Sequence, residues 1–186
     1  MRKKDLGSLP TYFDRYITLG DDTDLETALQ NSLESLNQLP VDSWTALGDR
    51  VYAPEKWTIK DILQHLIDTE RIFTYRALCM ARKDFEKKPE FDENLFAANG
   101  NAGNRNLDDL IQELVVVRKS TIGLYSSFNE EVLSDQRKSF EKGYSVLAIA
   151  FIVIGHQIHH FNILEERYYP LLNMLQKGQH IGNSMP

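Results

Sequence analysis

Three histidines fall within five residues, in Gly155-His156-Gln157-Ile158-His159-His160. On a helix, residues four apart lie about 40° apart around the axis and roughly 6 Å along it. His156 and His160 can therefore aim two imidazoles at one ion, as i, i+4 histidines do in helical metal sites. His159 lies about 100° round from His160, so the three cannot all face one point. We read it as lying beside the site or on the outside of the helix. A third nitrogen must come from elsewhere. Of the two remaining histidines, His180 belongs to a patternless tail, and His65 sits midway along an apolar helical face. A buried imidazole needs a partner, because an unsatisfied buried polar group costs about 1–3 kcal/mol. A shared metal ion would supply that partner, and so would an ordinary hydrogen bond in the core; the spacing leaves both readings open. Three imidazoles with free coordination positions make a site of the catalytic kind, unlike a closed four-ligand structural site.

Several familiar chemistries do not fit. The zinc-protease helix motif needs Glu directly after its first His, and that position is Gln157. The di-iron bundle pattern needs Glu three residues before a histidine, and the residue at that offset from His156 is Val153. Cys79 follows His65 by 14 residues, about 21 Å along a helix axis, too far to share its ion. No phosphate-binding glycine loop, nucleophile elbow or dinucleotide turn is present.

Four helical patterns position these residues. The first opens on a capping box, Thr23-Asp24-Leu25-Glu26, carries a stripe of Leu25, Ala28, Leu29, Leu33, Leu36 and Leu39, and stops at Pro40. The second begins at the cap Thr58, with Asp61 in the box position, and runs to about Arg82. His65 lies on its face with Ile62, Leu66, Thr69, Ile72, Phe73 and Arg76. Phe91-Asp92-Glu93-Asn94 and the Asn- and Gly-rich stretch 97–106 read as loop. The third starts at the cap Asn106 and reaches about Phe128. A loop containing Gly143 leads to the cap Ser145, and the fourth helix runs from Val146 to about Arg167, closed by Pro170. We expect an all-α four-helix bundle in one domain, with its core over about residues 22–170. The loops after the second and third helices are long enough for at least one connection to cross the bundle end.

The composition suits one packed domain: 186 residues, 42% hydrophobic and 26% charged. The net charge of −6 argues against nucleic-acid binding, which needs clustered cations. Arg2-Lys3-Lys4 reads as a solvated terminus. The longest apolar run, Val146 to Ile154, is nine residues, against the roughly 20 a membrane span needs. One cysteine and no signal-peptide pattern lead us to expect a soluble cytoplasmic protein with no membrane partner.

Two stretches carry a family likeness. Lys56-Trp57-Thr58-Ile59-Lys60-Asp61 with His65-Leu66-Ile67-Asp68-Thr69-Glu70-Arg71 and Tyr75-Arg76 resembles the second-helix signature of the DinB/YfiT-like superfamily. Gly155-His156-Gln157-Ile158-His159-His160 with Asn162 and Glu166-Arg167-Tyr168 resembles its fourth-helix signature, and Phe91 to Asn94 is similar to a loop motif of one branch. The resemblance implies a four-helix bundle, often a homodimer. It implies one divalent metal ion, Zn or Ni, held by His65, His156 and His160. It also implies either transfer chemistry on a low-molecular-weight thiol such as bacillithiol or mycothiol, or metal-dependent hydrolysis of a small-molecule substrate. A non-catalytic, metal-stapled binding or dimerisation module is the alternative of a different class. Asp68, one turn after His65, is the candidate to orient a ligand imidazole or accept a proton. Tyr75 and Phe91 to Asn94 are candidates for the pocket mouth, and Arg76 for an anionic substrate or a carboxylate of the bundle.

Overall fold

In the computed structural model, the described residues are 1–174 apart from 8, 10, 85, 87–89 and 136–143. His180, the tail after Leu175 and residues 136–143 of the Gly143 loop lie outside them; the described part of that expected loop contains a short helix, Glu130–Ser134. The chain order is a 3-10 turn at Lys3–Leu6, then α1 (Asp14–Ile17), α2 (Leu25–Leu36), α3 (Val41–Leu47), α4 (Ile59–Ala81), α5 (Glu93–Asn99), α6 (Leu107–Ser126), α7 (Glu130–Ser134) and α8 (Val146–Ile163). No strand occurs among the described residues, so the expected all-α bundle is what forms.

The helix starts follow local chemistry. Thr58 accepts from the backbone N–H of Asp61 at 3.2 Å while the Asp61 carboxylate accepts from Thr58 N–H at 2.9 Å, the reciprocal box expected for α4. Ser145 caps α8 by accepting from Ala148 N–H at 3.0 Å. The cap of α2 is Asp24, one residue later than the Thr23 box expected, because its carboxylate reaches both Thr27 N–H (3.0 Å) and Thr27 Oγ1 (2.8 Å). Asn106 holds the cap position of α6, but its amide turns to Asp109 and accepts from no backbone N–H. The stretch expected as loop around residues 91–106 contains α5, since Asp92 caps it with two 3.0 Å bonds, and a 3-10 turn at Ala102–Asn104. Pro40 opens α3, a short helix that the hydrophobic pattern does not signal, and α2 ends earlier, at Leu36.

Pro170 does not close the fourth helix. A π turn at Leu164–Tyr168 follows α8, with Tyr169 N–H donating to the Leu164 carbonyl, and helical residues continue to 174. The widened turn shifts the hydrogen-bond register ahead of a proline that has no N–H and would crowd the carbonyl four residues back. Val146–Met174 is thus long and apolar enough, by length and composition alone, to cross a membrane, but 72% of its most apolar window is buried inside the protein.

Four long helices form the bundle, and each packs on two others: α4 on α6 and α8, α2 on α6 and α8. The order around the bundle is α2, α6, α4, α8. The connections from α2 to α4 and from α6 to α8 therefore run between diagonal positions, while α4 to α6 joins neighbours. The expected crossover is present, although the long loop after α4 is not one.

Two apolar halves make the core. One gathers Leu25, Leu29, Phe73, Met80 and Tyr125 around residues 146–154 of α8. The other gathers Leu36, Trp44, Ile59, Leu63, Leu110, Leu114, Leu164 and Tyr168. Between them every helix turns polar at its middle: Ser32 on α2, His65, Thr69 and Glu70 on α4, Arg118 and Thr121 on α6, His156, Gln157 and His160 on α8, all buried. Glu70 takes Arg118 in a two-point bond (2.9 and 3.0 Å) and accepts from Thr121 at 2.6 Å. Arg118 also donates to Ser32 Oγ, and Gln157 donates to the Ser32 carbonyl at 3.1 Å and to Ser35 Oγ at 2.8 Å. These bonds satisfy the Glu70 and Arg118 charges, which would otherwise be costly to bury, while Gln157 Oε1 and His160 Nδ1 are buried without a hydrogen-bond partner.

The first 22 residues are part of the packed structure. Leu6, Tyr16 and Ile17 are buried, Arg2 forms a β-bridge with Asp24, and Lys3 donates to the Gly20 carbonyl. Arg2 and Lys4 are exposed, as a solvated terminus requires, but the backbone that carries them is docked, and the packed core starts before residue 22.

Candidate metal centre

The waist brings His65 from α4 together with His156 and His160 from α8. His156 Nε2 lies 3.1 Å from His65 Nε2 and 3.1 Å from His160 Nε2, and the three ring nitrogens all lie within 4.8 Å of one another. The i, i+4 geometry of α8 supplies two of them, and the α4–α8 packing supplies the third.

Burial holds these rings neutral. It pushes the His65 pKa down to about 4 and that of His160 to about 3, and drives His156 well below the ordinary value, with the neighbouring imidazoles adding to the effect. One Nε2 carries either a single proton or a single lone pair, so His156 cannot make a full hydrogen bond to both neighbours. One cation takes all three lone pairs at once. Nitrogens bound to one ion at about 2.0–2.1 Å stand about 3 Å apart, which the two 3.1 Å separations match. Among the described residues the group contains no carboxylate or cysteine, so it is a neutral donor set with coordination positions left over.

Aromatic rings flank the cluster. Trp57, immediately before the α4 cap, lies 4.7 Å from the His65 ring and nearly parallel to His160 at 6.4 Å. Its carbonyl accepts from the buried Tyr168 hydroxyl, which the π turn presents. Tyr16 of α1 stands edge-on to His156 and to His159, both at 5.2 Å. Thr69 Oγ1 is 3.4 Å from His65 Nδ1. Sequence reasoning gave Trp57, Tyr168, Tyr16 and Thr69 no role at the site. The signals were a Trp at the mouth of a capping box and a Thr one turn after the lone histidine; Tyr16 carries no local signal.

Of the other candidates, His159 touches this cluster, whereas Asp68 faces Gln64 and the charges of Arg71, Glu113 and Arg105. His159 is half-buried and packs between Tyr16 and His160, with its ring apart from the three converging nitrogens. The Asp68 carboxylate is half-buried and accepts from Gln64 Nε2 at 3.0 Å, while Arg105 donates to Gln64 Oε1 at 2.8 Å. Burial raises the Asp68 pKa, partly offset by the Gln64 bond. The oxygen at the His65 Nδ1 edge belongs to Thr69. Arg76 lies over the Phe73 ring at 5.5 Å, Tyr75 is exposed, Phe91 packs on Phe96, and Cys79 is buried further along α4.

A helical bundle with a three-imidazole cluster at its waist is the class of protein that fold and site define. The chain belongs to the DinB superfamily, whose family model matches residues 24–164. Tyr16 and the rest of α1 lie upstream of that match. No curated protein matches the sequence. Among solved structures, the chain is similar to YfiT from Bacillus subtilis, described as a probable metal-dependent hydrolase with an unusual four-helix bundle topology. That match has a TM-score of 0.63 at 15% identity and covers 89% of this chain and 91% of the other. At that identity the likeness concerns the fold.

Proposed function

We propose that this protein is a metal-dependent enzyme that holds one divalent ion, Zn or Ni, on His65, His156 and His160 and activates a low-molecular-weight thiol for transfer to a small-molecule electrophile. The observation that carries the reading is the convergence of three buried, neutral Nε2 atoms at the waist of the bundle. A divalent ion bound there supplies Lewis acidity that lowers the pKa of a thiol or a water. The protein contributes three ligands without charge, so the centre favours an anionic nucleophile. Trp57 and Tyr16 wall the cluster with aromatic surface. Thr69 takes the orienting place at the His65 ring, and Asp68 enters this reading as the proton acceptor on its place one turn after His65, with its pKa raised by burial.

Hydrolysis is the second reading. It uses the same centre, and the description of YfiT as a probable metal-dependent hydrolase favours it. A purely structural staple calls for a closed, four-ligand site, whereas the cluster here offers three histidines.

The deciding measurement is elemental analysis of untagged protein beside His65→Ala and His156→Ala. About one transition-metal ion per chain, absent from both variants, is expected. No metal after reconstitution with Zn²⁺ or Ni²⁺ would end the metal-enzyme reading. Turnover of a chromogenic electrophile only when thiol is added supports transfer, and turnover with water alone supports hydrolysis. Asp68→Asn should keep the metal and lower kcat by about 10²-fold or more.

A further inference from the structure

The N-terminal segment reaches the cluster by an unusually close approach. A Cβ on Gly155 would stand 1.9 Å from the Tyr16 carbonyl oxygen, so α1 is pressed against α8 at the residue just before His156. Tyr16 is 8% exposed and wedged against His156 and His159. Its neighbour Arg15 is exposed, and its guanidinium is held in place. It lies 4.1 Å above the Tyr12 ring and 4.8 Å from the Tyr16 ring, and Nη2 donates to the Tyr16 hydroxyl at 3.0 Å. Tyr12 adopts φ +85°, a left-handed conformation that a tyrosine rarely takes, and from there its ring covers Arg15. Cation–π stacking and this backbone arrangement hold a long side chain that would otherwise sample many rotamers.

We propose that Arg15 is the anion-recognition residue of this centre, and that the molecule bound there carries a carboxylate or a phosphate. The inference rests on the metal-enzyme reading above. One tyrosine separates the guanidinium from the His156 ring. No carboxylate among the described residues forms a salt bridge with it. The nearest acid in sequence, Asp14, accepts the Arg15 backbone N–H at 2.9 Å. Glu93 is close enough to act electrostatically on Tyr16, and Glu166 on His159. Arg15 itself acts on both His156 and His159. In a chain of net charge −6, a cation on three neutral imidazoles beside a fixed guanidinium is a local positive field. The planar fork of Arg, unlike a Lys ammonium, matches the two oxygens of a carboxylate or phosphate.

The test uses the full chain loaded with Co²⁺, whose visible spectrum reports thiol binding. Mercaptoacetate and 3-mercaptopropionate are titrated against the uncharged 2-mercaptoethanol and 3-mercaptopropan-1-ol, compared at equal thiolate concentration. We expect the acids to bind about tenfold tighter than the alcohols, a difference that one charge-assisted contact supplies. Arg15→Gln should remove that preference while leaving alcohol affinity, Co²⁺ stoichiometry and the thermal midpoint unchanged, and Arg15→Lys should restore part of it. Equal response to acids and alcohols, or none, overturns the proposal, as does a preference that survives in Arg15→Gln. Failure to take up Co²⁺ removes the metal reading and this inference with it; uptake without charge preference removes this inference alone.

Discussion

At the three imidazoles, burial and mutual repulsion act in one direction, against protonation. The consequence for the metal-free protein has a definite sign. In the folded state the rings stay neutral down to about pH 4 for His65 and about 3 for His160. In the unfolded chain they take up protons below about pH 6.5. The unfolded state therefore binds more protons across that window, and folding stability falls as pH drops from 7 toward 4. Between pH 7.5 and 5 the loss should be roughly 1–2 kcal/mol per buried histidine, read as a lower urea midpoint of chelator-treated protein. A flat profile would mean the rings are more solvated than the structure shows. Glu70 and Arg118 are a second residue-scale case. They are 3% and 1% exposed and meet in a two-point bond. Arg118→Met leaves an unpaired buried carboxylate and should cost about 3–5 kcal/mol. The double change Glu70→Gln with Arg118→Met should recover part of that in the same denaturation assay.

At the scale of elements, α8 explains most of what is unusual. Its residues 146–154 are apolar on all sides and all buried, so it cannot be the surface helix of a simple bundle. α4 and α2 cover two flanks, and the segment containing α1 covers the other. Gly155 is what lets α1 approach. Alanine is the better helix former by about 0.8–1.0 kcal/mol, yet its Cβ would collide with the Tyr16 backbone. Gly155→Ala is therefore expected to destabilise by about 1–3 kcal/mol, seen as a lower thermal midpoint, with Tyr16 pushed away from the His156 ring. A higher midpoint would show that α1 is not seated as described. The helix starts at Thr58 and Ser145 were legible because a cap is chemistry among four consecutive residues. The π turn before Pro170 was not. Local sequence favours a stop there, and continuation depends on Leu164 and Tyr168 packing into the core and on the Tyr168 bond to Trp57.

For the whole molecule, the N-terminal segment is the largest departure from expectation. Residues 1–22 carry no amphipathic stripe, and their basic start suggested a solvated terminus. Yet Leu6, Tyr16 and Ile17 bury almost completely, worth on the order of 5 kcal/mol together. That is a large share of a typical domain's stability. Deleting residues 1–17 should lower the thermal midpoint sharply and raise the fluorescence of a hydrophobic dye as the outer flank of α8 is uncovered. An unchanged midpoint would mean that the segment contributes little to packing. The same deletion removes Tyr16 from the candidate centre, so fold and site depend on one segment.

Sequence alone determined that the chain is helical, where three of its four long helices begin, and which histidines share a face, because helix periodicity and capping act over spans of a few residues. The i, i+4 pair on α8 and the lone His65 on an apolar face were readable on that ground. The tertiary structure decided the rest. Residues 91 apart in sequence had to be packed together before His65 and His156 could meet at 3.1 Å. The diagonal order of α2, α6, α4 and α8, the polar waist that separates two apolar halves, and the seating of α1 on Gly155 are long-range packing choices. They depend on which surfaces cover one another, and a window of neighbouring residues does not contain that information.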